Sequence, residues 1–394
     1  MHIFNKILNS PQIIVDYNPY KIETNRRALV LFKTDWFGPF GKRSINTGTT
    51  QFEVSEATRI LNKLGYLVTI VDRGYKCTLI HKYDLFYGLV IGGSGQYFKH
   101  YFEQMPTDCI KIALSTGPNS QVASKKIKER TKYFKERHGV VPISMPRTTP
   151  ESFNQLIENC NALFYHGNDI VRKGYDDIHI PKFKLPTPIK DNIQITFNKL
   201  GNKHGYKNNF LFYSGSGMIS KGLDIILDSF LELEDYNLFI ATLSNENNFF
   251  DFYKEKIQKA DNIKYLNSME SDSLAMMKIC SKCAFVISAS CNDGDPAAIM
   301  ECLRYGLVPV VTRETDIAFK EALIFQDFSI PNIKKCIKRA ANLNEGIYTN
   351  LSKKSYLASL KNYSSNYTLA IEEAFCSTII QEGEKLFNKI EKKI

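Results

Sequence analysis

Long apolar runs are missing from this chain of 394 residues. No stretch reaches the ~20 consecutive apolar positions that a membrane-spanning helix needs. The longest candidate, residues 85–91, has the length of a strand and follows the polar His81-Lys82-Tyr83-Asp84. The opening Met1-His2-Ile3-Phe4 runs directly into polar residues, so no secretory signal is expected and a cytosolic location follows, in the open cytosol or on the inner face of a membrane. Internal repeats and low-complexity tracts are also lacking. So is a second cysteine pair: Cys280-Ser281-Lys282-Cys283 has the spacing of half a zinc site, but Cys291 and Cys302 do not complete it, and no metal is expected. The nine cysteines are odd in number, scattered and mostly in apolar surroundings, as reduced core residues are. A dinucleotide fingerprint is absent as well. Gly92-Gly93-Ser94-Gly95 follows a strand but lacks G-x-G-x-x-G spacing and a ribose-binding acid at the usual distance, which argues against a dehydrogenase.

What is present is ordinary in amount and uneven in placement. Hydrophobic residues make up 43% and charged residues 23%, the balance of a folded globular protein. The length calls for two domains of roughly 150–200 residues. The net charge of +10 points to an anionic partner such as a nucleoside diphosphate or an anionic lipid. Lys125, Lys126, Lys128, Arg130, Lys132, Lys135 and Arg137 face only Glu129 and Glu136. This basic stretch, with Ile127, Tyr133 and Phe134 adding apolar contact, is the candidate surface for an anionic membrane or a lipid diphosphate; the alternative is a solvated helix face. No nucleic-acid motif accompanies it, so nucleic acid is not an expected partner.

Strand and helix signals alternate throughout. Apolar strands at residues 28–32, 67–71, 85–91, 110–114 and 162–166 each run into a polar or small-residue loop, and a helix is expected over residues 50–63. That is the pattern of a parallel, doubly wound α/β sheet, whose ligand crevice lies beyond the carboxyl ends of its strands. Three prolines between Ile180 and Pro188, followed by a polar stretch to Asn209, read as an interdomain linker. The alternation restarts at residues 210–213, with a helix expected over 221–231 and further strands at 237–241, 263–266, 284–287 and 307–311. The tail from Ser365 to Ile394 is helical in period, with Leu369, Ile371, Phe375, Ile379, Ile380, Leu386 and Ile390 on its apolar positions. The expected division is an N-terminal domain over residues 1–185, a C-terminal domain over 186–364, and a last helix over 365–394 that packs back on the first domain.

Two segments carry the chemistry. In residues 288–301 a strand ends, a polar Gly/Pro loop turns, and a helix begins near Pro296, a residue suited to a first helical turn. Backbone N–H groups and a positive helix end then face the crevice. Asp293 in the loop and Glu301 within the helix are two carboxylates able to accept hydrogen bonds from sugar and ribose hydroxyls. In residues 213–224 a second strand feeds a small-residue loop, Gly215-Ser216-Gly217, and Lys221 offers a cation to a diphosphate.

The C-terminal half resembles the retaining glycosyltransferases of the GT-B fold, most closely the family 4, group-one transferases. Their donor half carries a Gly-Arg-x4-Lys-Gly loop and, about eighty residues on, a Glu-Gly-x-Pro-x4-Glu element. Gly215, Lys221 and Gly222 match the first; Asp293-Gly294-Asp295-Pro296 and Glu301 match the second. The resemblance covers residues 209–316 well and the N-terminal half more loosely. Two positions depart from it: Ser216 stands where the family has Arg, and Asp293 where it has Glu.

The resemblance implies two Rossmann-like domains facing a cleft. It implies transfer of a hexosyl unit from a UDP- or GDP-sugar to an acceptor hydroxyl, with retention and without a metal or other cofactor, in bacterial surface glycan or glycolipid assembly. Gly215, Ser216, Gly217, Lys221, Asp293, Gly294, Asp295, Pro296, Ala297 and Glu301 would bind the donor, Lys221 neutralising the diphosphate, Glu301 fixing the ribose and Asp293 holding the sugar. Gly48, Thr49, Glu53, Gly93, Ser94, Thr116 and Asn168 would line the cleft on the acceptor side, for a glycan or lipid-linked acceptor. No residue stands out as a general base, and His100 and His166 near the crevice loops read first as structural. A catalytically silent GT-B subunit that binds a partner, and a nucleotide-sugar epimerase of the same fold, are the rival readings.

Overall fold

The structure, a computed structural model, describes residues 12–34, 37, 49–91, 94–141, 153–190, 195–243 and 246–391. Two sheets dominate it. The first contains β1 (Ile13–Tyr17), β2 (Arg27–Phe32), β3 (Leu67–Asp72), β4 (Leu85–Leu89), β5 (Ile110–Ser115), β6 (Ala162–Tyr165) and β7 (Lys182–Lys184), in the order β1-β3-β2-β4-β5-β6-β7. The second contains β8 (Asn209–Ser214), β9 (Asn237–Thr242), β10 (Ile263–Ser268), β11 (Phe285–Ser288), β12 (Val308–Val311) and β13 (Leu323–Ile324), in the order β10-β9-β8-β11-β12-β13. Every pairing in both sheets is parallel except the edge strand β1, which runs antiparallel to β3.

The helices cover both faces of each sheet: α1 (Thr49–Lys63), α2 (Gly95–Phe102), α3 (Ser120–His138), α4 (Asn154–Glu158) and α5 (Asp169–Lys173) in the first half; α6 (Leu223–Phe230), α7 (Asn247–Lys259), α8 (Leu274–Cys280), α9 (Ala297–Leu303), α10 (Ile330–Ala341) and α11 (Glu345–Ser359) in the second; and α12 (Ser364–Glu391). Strands buried on both sides are apolar throughout, and alternate residues serve opposite faces. In β2, Ala28, Val30 and Phe32 join α1 while Leu29 and Leu31 join α2 and α4. In β8, Phe210 and Phe212 pack with α6, α7 and α10 while Leu211 and Tyr213 pack with α8 and α9.

Helix α12 crosses back to the first half. Tyr367, Ile371, Ala374 and Phe375 are buried with Val30, Ile60 and Tyr87, and Phe375 meets Tyr87 and Phe164 edge-on. Each large side chain so buried contributes roughly 1.5–3 kcal/mol, which makes the helix part of that core.

The polar stretch before Asn209 is not a free linker. Leu185 belongs to the first core and Ile189 to the second. Lys203 is buried with its Nζ on the Tyr305 carbonyl, His204 reaches the Leu343 carbonyl, and Tyr356 Oη donates to the Ile195 carbonyl. The segment coats the second half because its polar groups find backbone partners there.

The two halves are pinned together by polar contacts. The Asp316 carboxylate accepts from Asn168 N at 2.7 Å, Val171 N at 3.0 Å and Ile170 N at 3.1 Å, capping α5 from the other half. Helix α3, started by Asn119 Oδ1 accepting from Gln121 N and stopped by the left-handed Gly139, lies along the seam. Its Arg130 is 2% exposed and donates to the Ala289 carbonyl at 2.9 Å; its Arg137 pairs with Asp224 and Asp228. The basic stretch is therefore split by helical period. Arg130, Arg137 and Lys126, the last paired with Glu314 at 3.4 Å, turn to the second half, while Lys125, Lys128, Lys132 and Lys135 face solvent.

Candidate functional site

Each sheet reverses its winding direction once, between β2 and β4 and between β8 and β11. Crevices form at such points. In the second half the loops leaving β8 and β11 flank it, and these are the two motif segments. The helix after β8 begins at Leu223, not Lys221, because Gly222 takes a left-handed φ of 75° and breaks the run. Lys221 thus sits in the turn, only 9% exposed, and its Nζ pairs with the Asp293 carboxylate. Gly222 packs so closely on the next loop that a Cβ there would lie 2.3 Å from the Ala289 carbonyl oxygen. Pro296 occupies the N-cap position of α9 rather than its first turn.

Glu301 lies on the inner side of α9, 5% exposed. Its Oε1 accepts from Lys190 N at 3.1 Å, and its Oε2 is 2.7 Å from Arg304 Nη2. Arg304 is fully buried and its Nη1 donates to the Lys190 carbonyl. Burial pushes the Glu301 carboxyl up, and Arg304 opposes that.

Two cavities adjoin here, sharing Thr49 and Ala297. One is lined by Glu301 and Ala298 together with Lys190, Tyr213, Leu243, Glu270, Ser271, Phe52 and Ser364. The other lies between the Asp293–Ala297 loop and the first half, where Thr50, Glu53, Arg73, Thr116, His166 and Thr187 form the facing wall. Gly294 is the closest approach of the loop to that wall: a Cβ would meet Gly117, the His166 carbonyl and Val171 at 3.1 Å.

The expected residues divide accordingly. Asp293, Gly294, Asp295, Pro296, Ala297 and Glu301 line the cavities, as do Thr49, Glu53 and Thr116 from the first half. The Asp295 carboxylate is engaged within the protein, accepting from Ala318 N at 3.2 Å and from Asn362 Nδ2 at 2.8 Å, so it braces the loop and the start of the crossover. Gly215, Ser216, Gly217 and Lys221 line neither cavity, Lys221 reaching the cleft only through its pairing with Asp293. The amides of Gly217 and Met218 donate to the Glu246 carboxylate, a side-chain anion on a backbone nest. Asn168 serves the interdomain cap described above, and Ser94 lies at the start of α2 away from both cavities. Gly48 and Gly93 lie outside the described residues.

The residues that sequence reasoning missed are Arg304, one turn beyond Glu301, and those supplied from afar: Lys190, Arg73, Thr187 and Glu246. His166, which reads first as structural, lines the second cavity. It lies 3.2 Å through Nε2 from Glu53 Oε1, and both side chains are almost wholly buried. Burial pushes Glu53 up to about 8, against Arg73, and pushes His166 down to about 4. Between those values both are neutral. Among the described residues no cluster of His, Cys, Asp or Glu could hold a metal ion.

No family model and no curated protein matches the chain. Solved structures do. A sucrose-phosphate synthase from Thermosynechococcus elongatus is similar at TM-score 0.60 and 10% identity, over 90% of this chain and 100% of that one. Anabaena HepE, crystallised in complex with UDP-glucose, is similar at 0.56 and 12%, over 89% and 99%. The chain has the GT-B fold. WaaG, a glycosyltransferase involved in lipopolysaccharide biosynthesis, shares it at 0.51 and 13%, over 87% of this chain and 98% of that one. With the GT-B architecture given, the two cavities occupy its interdomain cleft.

Proposed function

We propose that this GT-B protein transfers a glycosyl unit from a nucleoside diphosphate sugar to an acceptor hydroxyl, with retention and without a metal. The observation that carries the reading is that the two motif segments meet through the Lys221–Asp293 pair, while Asp293 and Glu301 line two adjoining cavities that share Thr49 and Ala297. In the reaction the bond from the sugar C1 to the diphosphate oxygen breaks and the acceptor oxygen bonds to C1. The acceptor's proton passes to the departing phosphate, so no dedicated base is required. Lys221 stabilises the charge that develops on the diphosphate. Similar folds in the UDP-glucose complex of HepE and in WaaG support a nucleotide-sugar donor.

A second reading has its own observations. Ser216 replaces the family's Arg, and Glu246 already caps two loop amides; both suit a GT-B subunit that binds a partner without turnover. Incubation with UDP-glucose, UDP-N-acetylglucosamine and GDP-mannose separates the two. The transferase releases nucleoside diphosphate and a sugar product of retained configuration, undiminished by a chelator; no release with any donor favours the silent subunit.

Among the described residues no helix is long and apolar enough to cross a membrane. The outward lysines of α3, with Val122 and Val140 exposed near its ends, support peripheral docking on an anionic inner-face surface, where a lipid-linked acceptor for surface glycan assembly would be met. Salt-sensitive co-sedimentation with anionic vesicles, lost in a Lys125/Lys128/Lys132/Lys135→Glu variant, is expected; equal pelleting with neutral vesicles would refute it.

A further inference from the structure

The turn that leaves β8 carries two groups able to hold an anion, and each already holds a carboxylate of the chain. Lys221 Nζ pairs with Asp293. One turn earlier, the amides of Gly217 and Met218 both donate to Glu246, Met218 N at 3.2 Å from Oε2. The two groups belong to one local structure, closed by Lys221 N donating to the Gly217 carbonyl at 2.8 Å. Successive amides that converge on one acceptor form a nest, a backbone concavity suited to any compact oxyanion. Glu246 is not drawn there by its own helix. It stands at the N-cap position of α7, yet its side chain caps none of that helix's amides and crosses instead to a turn 28 residues away. It is half-buried and lies three residues past Leu243, which lines the same cavity as Glu301. Its carboxylate can therefore pass to solvent without becoming a stranded buried charge.

We propose that Glu246 is an autoinhibitory carboxylate, which occupies the Gly217–Met218 nest when no ligand is bound and which a phosphoryl group entering beside Lys221 must displace. The proposal rests on the glycosyl-transfer reading for the ligand's class, a nucleoside diphosphate, and adds a competitor built into the chain. Phosphoryl oxygens accept from amides as a carboxylate does, so the two contend for the same donors. While Glu246 stays in place its charge also repels a diphosphate at Lys221. Ligand binding is then an exchange of one anion for another, with no covalent step.

The test titrates the full chain and the variants Glu246→Gln and Glu246→Asp with inorganic pyrophosphate, UDP and GDP, and with uridine and guanosine, after circular dichroism has checked folding. Pyrophosphate and the nucleoside diphosphates are expected to bind the Gln variant roughly three- to tenfold tighter than the parent, with the bare nucleosides unchanged. The Asp variant, one methylene shorter, is the milder change and should gain less in the same direction. Parental or weaker pyrophosphate affinity in the folded variants overturns the proposal. So does a gain shared equally by the bare nucleosides, which do not reach for the nest. A parent that binds no nucleoside diphosphate defeats the glycosyl-transfer reading separately. Pyrophosphate still judges Glu246 in that case: binding that appears or tightens on substitution supports the displacement, and none in either protein refutes it.

Discussion

Substituting Glu301 separates its two tasks, and the structure shows why the choice of replacement matters. Its carboxylate faces the cleft and also neutralises Arg304, which is fully buried and whose Nη2 lies 2.7 Å from Oε2. Glu301→Ala would leave that guanidinium uncompensated, a loss of about 3–5 kcal/mol. For a domain of this size each kcal/mol moves the melting temperature by roughly 2–4 °C. The Ala variant should therefore melt roughly 6–20 °C lower, and lost binding in it would be ambiguous. Glu301→Gln keeps an oxygen for the Lys190 amide, 3.1 Å away, and fills the same volume. It gives up the charge, so Arg304 keeps an oxygen to donate to but loses its counter-ion, and a smaller fall in melting temperature than in the Ala variant is expected; as a hydrogen-bond acceptor for ribose hydroxyls the charge contributes about 1.5–3 kcal/mol, or roughly tenfold or more in affinity. Calorimetry with whichever nucleoside diphosphate binds the parent, beside differential scanning fluorimetry, reads both effects. A folded Gln variant with parental affinity would put Glu301 outside the nucleotide site. An Ala variant with parental melting would refute the energetic role given to the Arg304 pair.

Three further outcomes are expected. Gly222→Ala forces a Cβ to 2.3 Å from the Ala289 carbonyl oxygen at a φ of 75°, so denaturant unfolding should show a loss above 1 kcal/mol. Arg137→Met strands Asp224, whose carboxyl burial already pushes up to about 6 against Arg130 and Arg137; a raised acid favours the folded state less as pH rises, so the variant should melt near the parent at pH 4 and well below it at pH 7. Glu53, raised to about 8, and His166, lowered to about 4, have opposite linkage. The His166 contribution rises with pH up to 6.5 and the Glu53 contribution falls from 4.5 to 8, so the pair alone gives declining stability between pH 6.5 and 8, by at most about 1.4 kcal/mol per unit. Tyr87 and Tyr367, which interact with Glu53, are held by burial well above the ordinary tyrosine range and do not titrate in that window. Glu53→Gln should flatten the decline in melting temperature; an unchanged pH slope would refute it.

The buried parallel strands were legible because a strand covered on both faces must be apolar throughout, as residues 28–32 and 284–287 are. The edge strands were not. Lys182–Lys184 is three residues with charged ends, Leu323–Ile324 is two, and Ile13–Tyr17 carries a bulge near Asp16 at a φ of 48°. The motif carboxylates were legible because each follows a strand and a turn within one short segment. Their supports were not, since Arg304 acts through a backbone group at Lys190 and Glu53 meets a histidine from a different strand end, pairings that only the winding of the sheets creates. The charge run on α3 looked like one face; the helical period sends Arg130 and Arg137 inward and the lysines out. The prolines between Ile180 and Pro188 suggested slack, but buried Leu185 and Ile189 tie the segment to both cores.

The central claim is that the second half holds a nucleoside diphosphate with Lys221 as its cation. Isothermal titration of the purified chain with UDP, GDP, ADP and CMP, repeated on Lys221→Met, tests it most directly. The account predicts that at least one nucleoside diphosphate binds, and that Lys221→Met weakens it roughly tenfold or more while binding of the bare nucleoside is unchanged. Failure of all four to bind, or parental diphosphate affinity in the folded Lys221→Met protein, would contradict it.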